Sequence, residues 1–530
     1  MLEALFRTKS LDQLRASAEE SSLRLKRQLS AFDLTMFGVG AIIGAGIFST
    51  IGTAAAGNVA DGRPGAGPAL VVSFLLTAVA CGFSALCYAE LASMIPVSGS
   101  AYTYAYASLG ELVAWVIGWD LVLEYAVSNV AVAISWGDYA AALLDGLGLK
   151  IPAWLAIDPR TALTVSDAHL AANHLTSQPP LGDKLELLES ARRGLAEGAS
   201  TFAHWDALSQ APRLFGFPVT VNLLAVLITG AVTWLCYRGI KESARANAVM
   251  VVVKLAVLAV VVGVGAIYVS PAHWRPFAPN GLAGIQAGSA IIFFAFIGFD
   301  AVSTTAQECR TPGRDLPRGI LGSLLVCTVV YVLVTLVVTG MADSAELGGK
   351  ADPLAYVFEK YHLNWLALLI SLGAVIATAA SLLVYQLGQP RIMMAMSHDG
   401  LLGRWFGRIH PRHGTPANAT ALTGFLVALP AALMNIGEVV ELSNIGTLFA
   451  FAIVCAGVLI LRVRHPEAPR AFRAPAAWLV APLGILSCAW LSWGLPRVTF
   501  LRFFFWLAAG LIVYALYGSR RSRIRSAERV

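Results

Sequence analysis

The sequence predicts an all-α polytopic membrane protein of about twelve transmembrane helices, two inverted repeats of five plus two more, with helices 1 and 6 broken at their centres. Three observations lead there. Of 530 residues, 57% are hydrophobic and only 13% charged, against roughly 25% charged in ordinary soluble domains. The apolar residues fall in blocks of about 20, long enough to cross a hydrocarbon core of about 30 Å as a helix. Two blocks are interrupted by glycine: Gly38-Val39-Gly40-Ala41-Ile42-Ile43-Gly44-Ala45-Gly46-Ile47-Phe48, and Phe293-Phe294-Ala295-Phe296-Ile297-Gly298-Phe299-Asp300 just past the midpoint. Backbone leaves the helical ladder at membrane depth only where protein or a watery cavity satisfies its freed N–H and C=O groups. Interrupted spans in matching halves therefore point to a carrier's central binding site.

Apolar blocks read against turn signals place the spans at 32–56, 69–94, 112–144, 219–236, 247–269, 283–306, 320–341, 364–388, 417–434, 443–461, 476–494 and 500–517. The chain divides into a cytoplasmic amphipathic segment (1–31), spans 1 to 3 (32–144), a long extracytoplasmic loop (145–217), spans 4 to 10 (218–461), a cytoplasmic loop with spans 11 and 12 (462–517), and a basic cytoplasmic tail (518–530). Within the long loop, Asp183-Lys184-Leu185-Glu186-Leu187-Leu188-Glu189 begins an amphipathic helix. The loop reads as a tolerated surface insertion, with gating or docking as the alternative. Spans 1 to 5 and 6 to 10 superpose by position, each set opening on its broken span. An odd number per half inverts the second repeat in the membrane.

The net charge of +6 sets orientation rather than recognising nucleic acid. Lys and Arg cluster at Arg24/Lys26/Arg27, Arg238/Lys241/Arg245, Arg310/Arg314/Arg318, Arg404/Arg408/Arg412, Arg462/Arg464/Arg470/Arg473 and Arg520/Arg521/Arg523/Arg525, all in short loops on one side. The positive-inside rule makes that side cytoplasmic, with both termini there, in a multi-pass protein of the cell (inner) membrane. Of seven cysteines none falls in the long loop, so no disulfide framework is visible. Met1 to Gln28 is charged, so no cleavable signal peptide is apparent. The expected partners are the lipid bilayer and a small molecule; nothing identifies a protein partner.

A break in span 1 exposes amide N–H groups around Gly44 to Phe48, and a half-helix N-terminus suits a carboxylate. Freed carbonyls around Ala295 to Ile297 suit an ammonium. Together they match a zwitterionic α-amino acid, with Ala45 and Gly46 small enough to let it reach main chain. The competing reading of Gly40 and Gly44 is GxxxG helix packing. A dinucleotide loop lacks its strand and βαβ unit. Glu124 lies about 18 Å into span 3 by helical rise, where an ionised side chain costs at least about 3 kcal/mol unless it faces protein or water. Asp120 shares its face one turn earlier; structural hydrogen bonding is the alternative role for Glu124. Lys254 lies about 10 Å into span 5. It either snorkels outward or reaches inward to brace the unwound span, where it could carry a proton in place of bound sodium. Phe294 is a candidate gate over the ligand, with ordinary packing as the alternative. Asp33, Glu90, Asp138 and Asp300 read as mainly structural. His410 and His413 sit in a basic loop and suggest no metal. No HExxH, GxSxG or Walker A pattern is present, so an enzyme is not expected.

Gly38-to-Phe48 resembles the first-span signature of the amino acid–polyamine–organocation superfamily. Tyr88-Ala89-Glu90-Leu91 running on to Pro96-Val97-Ser98-Gly99-Ser100-Ala101-Tyr102 adds to it, as does Glu308-x-x-x-Pro312-x-Arg314-Asp315-Leu316-Pro317-Arg318-Gly319-Ile320. So does Pro390-Arg391 followed by Ala395-Met396-Ser397-x-Asp399-Gly400-Leu401-Leu402. With Gly118-Trp119-Asp120-Leu121-Val122-Leu123-Glu124-Tyr125, they look most like the bacterial form of the cationic amino acid transporter branch. The resemblance implies the LeuT-like five-plus-five fold, alternating access, no cofactor, and proton-coupled rather than sodium-coupled symport of L-amino acids. It implies carboxylate contacts from Ile42, Ile43, Gly44, Ala45 and Gly46, and a gate and ammonium acceptors from Phe294, Ala295 and Ile297. It also matches Lys254 and Glu124 to proton-coupling positions. The alternatives are an amino acid or polyamine exchanger, or a non-transporting receptor on the same fold. Cationic and small neutral substrates both stay open.

Overall fold

The computed structural model describes residues 7–10, 29–58, 62–97, 99–173, 178–192, 201–215, 217–238, 243–350 and 352–523. Most of the N-terminal amphipathic segment and the end of the basic tail lie outside them. Helices dominate; the strands are two short antiparallel pairs, Gly57–Asn58 with Arg63–Pro64 and Arg213–Leu214 with Phe217–Pro218.

Each predicted span meets a helix. Span 1 is the bent pair Ala31–Ile42 and Ala45–Ala56, 42° apart. Spans 2 and 3 are Leu70–Met94 and Glu111–Gly146, span 4 is Leu223–Arg238, and span 5 is Ser243–Gly265. Span 6 opens as Gly281–Ile292 and continues through 3-10 turns at Phe293–Phe296 and Asp300–Glu308. Spans 7 and 8 are Pro312–Met341 and Asn364–His398, and spans 9 and 10 are Ala417–Leu433 and Ile436–Arg464. Spans 11 and 12 are Ala477–Trp493 and Arg497–Val513. Spans 4, 9 and 11 are shorter apolar helices, span 1 is long enough only as its bent pair taken together, and the other eight are each long enough to cross.

Three boundaries differ most from expectation, and span 10 is one of them: it begins at Ile436 rather than 443, where the Asn435 side chain caps the helix by accepting from Gly437 N. Span 7 begins at Pro312 rather than 320, because its first turns are polar: Pro sits at the first position and Asp315 in the first turn, both favoured there. Span 8 runs past 388 to His398 with Pro390 inside it. Packing on span 3 outweighs the proline: Gln389 Nε2 donates to Val122 O at 3.0 Å, and a Cβ on Gly388 would lie 2.6 Å from the Tyr125 ring.

Helix neighbours follow a pseudo-twofold exchange of the halves. Span 1 packs on span 7 and span 6 on span 2; span 3 packs on span 10 and span 8 on span 5; span 9 packs on span 3 and span 4 on span 8. Spans 3 and 8 pair with each other across the pseudo-axis, as do 4 and 9 and 2 and 7. This is the pattern an inverted repeat of five produces.

Charged residues at the span ends have structural work. Ser30 and Asp33 form a capping box at the start of span 1, with Ser30 N donating to Asp33 Oδ2 at 2.9 Å. Buried Glu90, near the end of span 2, accepts from Arg462 Nε at 3.0 Å and Nη2 at 2.6 Å, Arg470 Nε at 3.1 Å and Ala474 N at 2.8 Å. That carboxylate fixes the turn between spans 10 and 11 against span 2.

The long loop forms a lobe with its own small core, including Val165, Leu170, Phe202 and Leu208. Its amphipathic helix is Leu181–Arg192. The lobe rests on the turn between spans 9 and 10, where Asn435 Nδ2 donates to Thr161 Oγ1 at 2.6 Å and Arg160 pairs with Glu438.

Asp352, at the head of the short helix Pro353–Lys360 between spans 7 and 8, gives a pH prediction. Burial, with Glu359 nearby, pushes its carboxyl from the ordinary 3.8 up to about 6. A carboxyl that binds its proton more tightly when folded stabilises at acid pH and loses that contribution as pH rises through about 6. The wild-type melting temperature should therefore fall from pH 4 to pH 7 more than that of Asp352→Asn. Parallel curves would show that Asp352 titrates alike in both states.

Candidate functional site

The two breaks meet at the centre of the bundle. In span 1, Ile43 (φ −76°, ψ 93°) and Gly44 (φ −145°, ψ −141°) leave helical geometry. In span 6, Ile297 turns extended (ψ 137°) and Gly298 takes φ +121°, a conformation that favours glycine. A Cβ on Gly298 would lie 2.9 Å from Ala41 Cβ, and one on Gly46 would lie 2.3 Å from Ala295 Cα. The broken spans thus cross backbone to backbone, which only residues without side chains permit.

Leaving the ladder frees carbonyls that a helix would have paired, and those of Gly40, Ile42, Ile43, Ala295 and Ile297 lie within hydrogen-bond distance of side-chain donors. Lys254 Nζ donates to Gly40 O at 2.7 Å and Ile43 O at 2.8 Å. Ser381 Oγ of span 8 lies 3.0 and 3.3 Å from the same two oxygens, and its one proton serves either of them. Tyr331 OH of span 7 lies 2.9 Å from Ile42 O and 2.8 Å from Ala295 O, joining the two breaks. Tyr385 OH donates to Ile297 O at 3.1 Å. The carbonyls of Ala295 and Ile297 therefore already hold one tyrosine hydroxyl each, and a ligand ammonium would use their second lone pairs or displace those hydroxyls.

On the donor side, no side chain caps the N-terminus of Ala45–Ala56. The first N–H groups of a helix have no intrahelical partner, and here they carry the positive end of the helix dipole. Ile42, Ile43, Ala45, Phe294, Ala295 and Ile297 are all buried around the crossing. Span 1 and span 6 bring these residues together, with Gly44 packed against Ser381 and Gly46 against Ala295.

Lys254 is fully buried and turned inward. Glu124 stands apart from it. Its electrostatic neighbours are Asp300 and Asp120, whereas Lys254 is next to Cys327. Neither oxygen of Glu124 or Asp120 has a hydrogen-bond partner among the described residues. Asp300 Oδ2 accepts from Tyr125 OH at 3.3 Å, while Oδ1 has no partner there. Span 10 closes over this group at Gly446, where a Cβ would lie 2.8 Å from Asp120 Oδ1. Three carboxyl groups thus share one buried neighbourhood between spans 3, 6 and 10.

Sequence reading passed over Ser381, Tyr331 and Tyr385. The signal lay in the apolar spans themselves, since a buried tyrosine usually finds an acceptor for its hydroxyl. Asp300 read as structural, yet it belongs to the carboxyl group around Glu124.

Comparison with known proteins bears on this arrangement. The family described as amino acid permease matches residues 29–516. The chain belongs to the amino acid permease family. It is 41% identical over 525 residues to the branched-chain amino acid permease BcaP of Bacillus subtilis, covering 99% of this chain and all of that protein. It is 40% identical to the methylthioribose transporter of the same organism, over 98% of this chain and 99% of that one. The vacuolar cationic amino acid transporter 4 of Arabidopsis thaliana is 35% identical over 88% of this chain and 68% of its own length. The superfamily resemblance carried by Gly38-to-Phe48 stands, and the chain is a multi-pass membrane transporter by family.

Proposed function

We propose that this permease carries L-amino acids by proton-coupled symport, with both termini on the cytoplasmic side. The observation that carries the reading is the ammonium of Lys254 seated on the carbonyls of Gly40 and Ile43. A fixed cation occupies the place where an unwound span could otherwise ligate a sodium ion. If that ammonium releases its proton, two charge-assisted bonds weaken and the break in span 1 is freed to rearrange. The uncapped start of Ala45–Ala56 supports a carboxylate on the substrate, and the carbonyls of Ala295 and Ile297 support its ammonium.

For the substrate side chain, the apolar group Ile42, Ile43, Phe294 and Ile297 supports a branched or other apolar residue. Similarity to the branched-chain permease over the full length of both chains agrees with this. A cationic side chain is the second reading, favoured by the carboxyl groups of Asp120 and Glu124, which have no hydrogen-bond partner among the described residues, and by Asp300 Oδ1 beside them.

Proteoliposomes without sodium, given labelled leucine or arginine with and without an inward proton gradient, test both. Gradient-driven accumulation of leucine is the expected result. Preferred accumulation of arginine would move the assignment to the second reading. Exchange without accumulation would make the protein an antiporter, and uptake only on adding sodium would reject proton coupling.

A further inference from the structure

The Glu308-to-Ile320 motif takes no part in the central site, and its first turns of helix line a groove. Span 7 starts at Pro312, and a Cβ on Gly313 would touch Ala471 Cβ at 2.8 Å. That contact sets span 7 against the turn leading into span 11. Beside it lies a groove of about 380 Å³ lined by Arg314, Pro317, Arg318, Leu321 and Phe472. Its far wall is firmly held: Phe472 N donates to Ser93 Oγ at 3.2 Å, and the flanking Arg470 and Ala474 are both fastened to buried Glu90.

Two guanidinium groups one turn apart mark one end of the groove. Arg314 meets its neighbour Asp315 through Nε at 3.4 Å, and among the described residues no carboxylate lies within ion-pair distance of its outer nitrogens. Among the described residues, no carboxylate lies within ion-pair distance of the exposed Arg318. Toward the bilayer the same helix face continues as Leu321, then Leu325, Val329 and Leu333, which are 66%, 52% and 44% exposed. Arg314, Arg318, Leu321, Leu325, Val329 and Leu333 fall at helical spacing on one stripe. The stripe is basic at the membrane edge and apolar at membrane depth, so the groove is continuous with the lipid-facing surface.

We propose that this groove binds an anionic phospholipid of the leaflet on the basic side of the membrane. Its phosphate lies between Arg314 and Arg318, and an acyl chain runs past Leu321 along Leu325 and Val329. Basic pockets between transmembrane helices bind acidic headgroups, and paired guanidinium groups match phosphate geometry. A phosphodiester with an attached chain fits both ends of the stripe, whereas a free phosphate would use only the polar end.

Native mass spectrometry of the full-length protein, titrated with dioleoyl phosphatidylglycerol or dioleoyl phosphatidylcholine, tests this. Wild type should retain phosphatidylglycerol at least about tenfold better than phosphatidylcholine. R314Q/R318Q should lose that preference, while R404Q/R408Q, which removes two exposed arginines from another loop, should keep it. Leu321→Trp fills the groove with both arginines intact and should lower retention, so the test survives poor folding of the double variant. Equal retention by R314Q/R318Q and wild type would overturn the proposal. Displacement of the lipid by millimolar inorganic phosphate would also overturn it, and would assign the arginines to a soluble anion.

Discussion

Replacing Lys254 with methionine is expected to abolish gradient-driven accumulation while leaving measurable counterflow. Methionine keeps the length and apolar body of the lysine stem but withdraws the ammonium from Gly40 O and Ile43 O. Ser381 Oγ still lies within reach of both oxygens and donates to one of them at a time, so the break keeps a hydroxyl donor and the fold is expected to survive. Hydrogen bonds from a charged donor contribute roughly 1.5–3 kcal/mol each, partly offset here by removing a charge from a dry site. Stability should therefore change little beside the loss of accumulation. The decisive comparison is between accumulation and counterflow in the same vesicles. If both fall in proportion, Lys254 braces the broken span without carrying the coupling proton; if neither falls, both roles are wrong. Glu124→Gln belongs in the same experiment. The absence of contact between Glu124 and Lys254 predicts that their effects are separable.

The second large effect is expected at Gly46. Its added Cβ would meet Ala295 Cα at 2.3 Å and Ala295 N at 2.8 Å. The obstacle is backbone, which cannot rotate away as a side-chain tip would. Gly46→Ala should force the breaks apart, cost about 1–3 kcal/mol as overpacking does, and eliminate substrate-induced thermal stabilisation. Gly263→Ala is the matched control, because nothing lies within 4 Å of its added Cβ. In a helix interior that change should gain up to about 1 kcal/mol. Wild-type binding by Gly46→Ala would mean that the crossing of spans 1 and 6 can open by more than a methyl group without harming the site.

Spans were legible because a bilayer imposes a long apolar run on any helix that crosses it, and that run survives without knowledge of neighbours. The two breaks were legible for a related reason: glycine in mid-span is conspicuous where backbone groups must be paired. Gly44 and Gly298 mark both bends, and their positions in matching halves foretold the inverted repeat. The superfamily motifs added the family, which the match across residues 29–516 establishes.

Hydropathy failed where a helix is polar or contains proline. The first turns of span 7 carry Arg314, Asp315 and Arg318, and span 8 continues through Pro390 because it is packed along span 3. More consequentially, sequence order holds no information about which donors reach the freed carbonyls. Tyr331, Ser381 and Tyr385 come from spans 7 and 8, far along the chain from Gly40 and Ile43. Only the crossing of helices brings their hydroxyls within hydrogen-bond distance.

The chain by itself thus determined the membrane class, the placement of the apolar helices, and the places where helix gives way, and it left Lys254 open between snorkelling outward and reaching inward. The tertiary structure decided which partner each of those groups found. It set Lys254 on the carbonyls of span 1, tied both breaks to one tyrosine, and gathered Asp300 with Asp120 and Glu124. The physical reason is the range of the constraints: burial and backbone pairing act locally and leave periodic traces in sequence, whereas hydrogen bonds between spans depend on packing angles that no single span encodes.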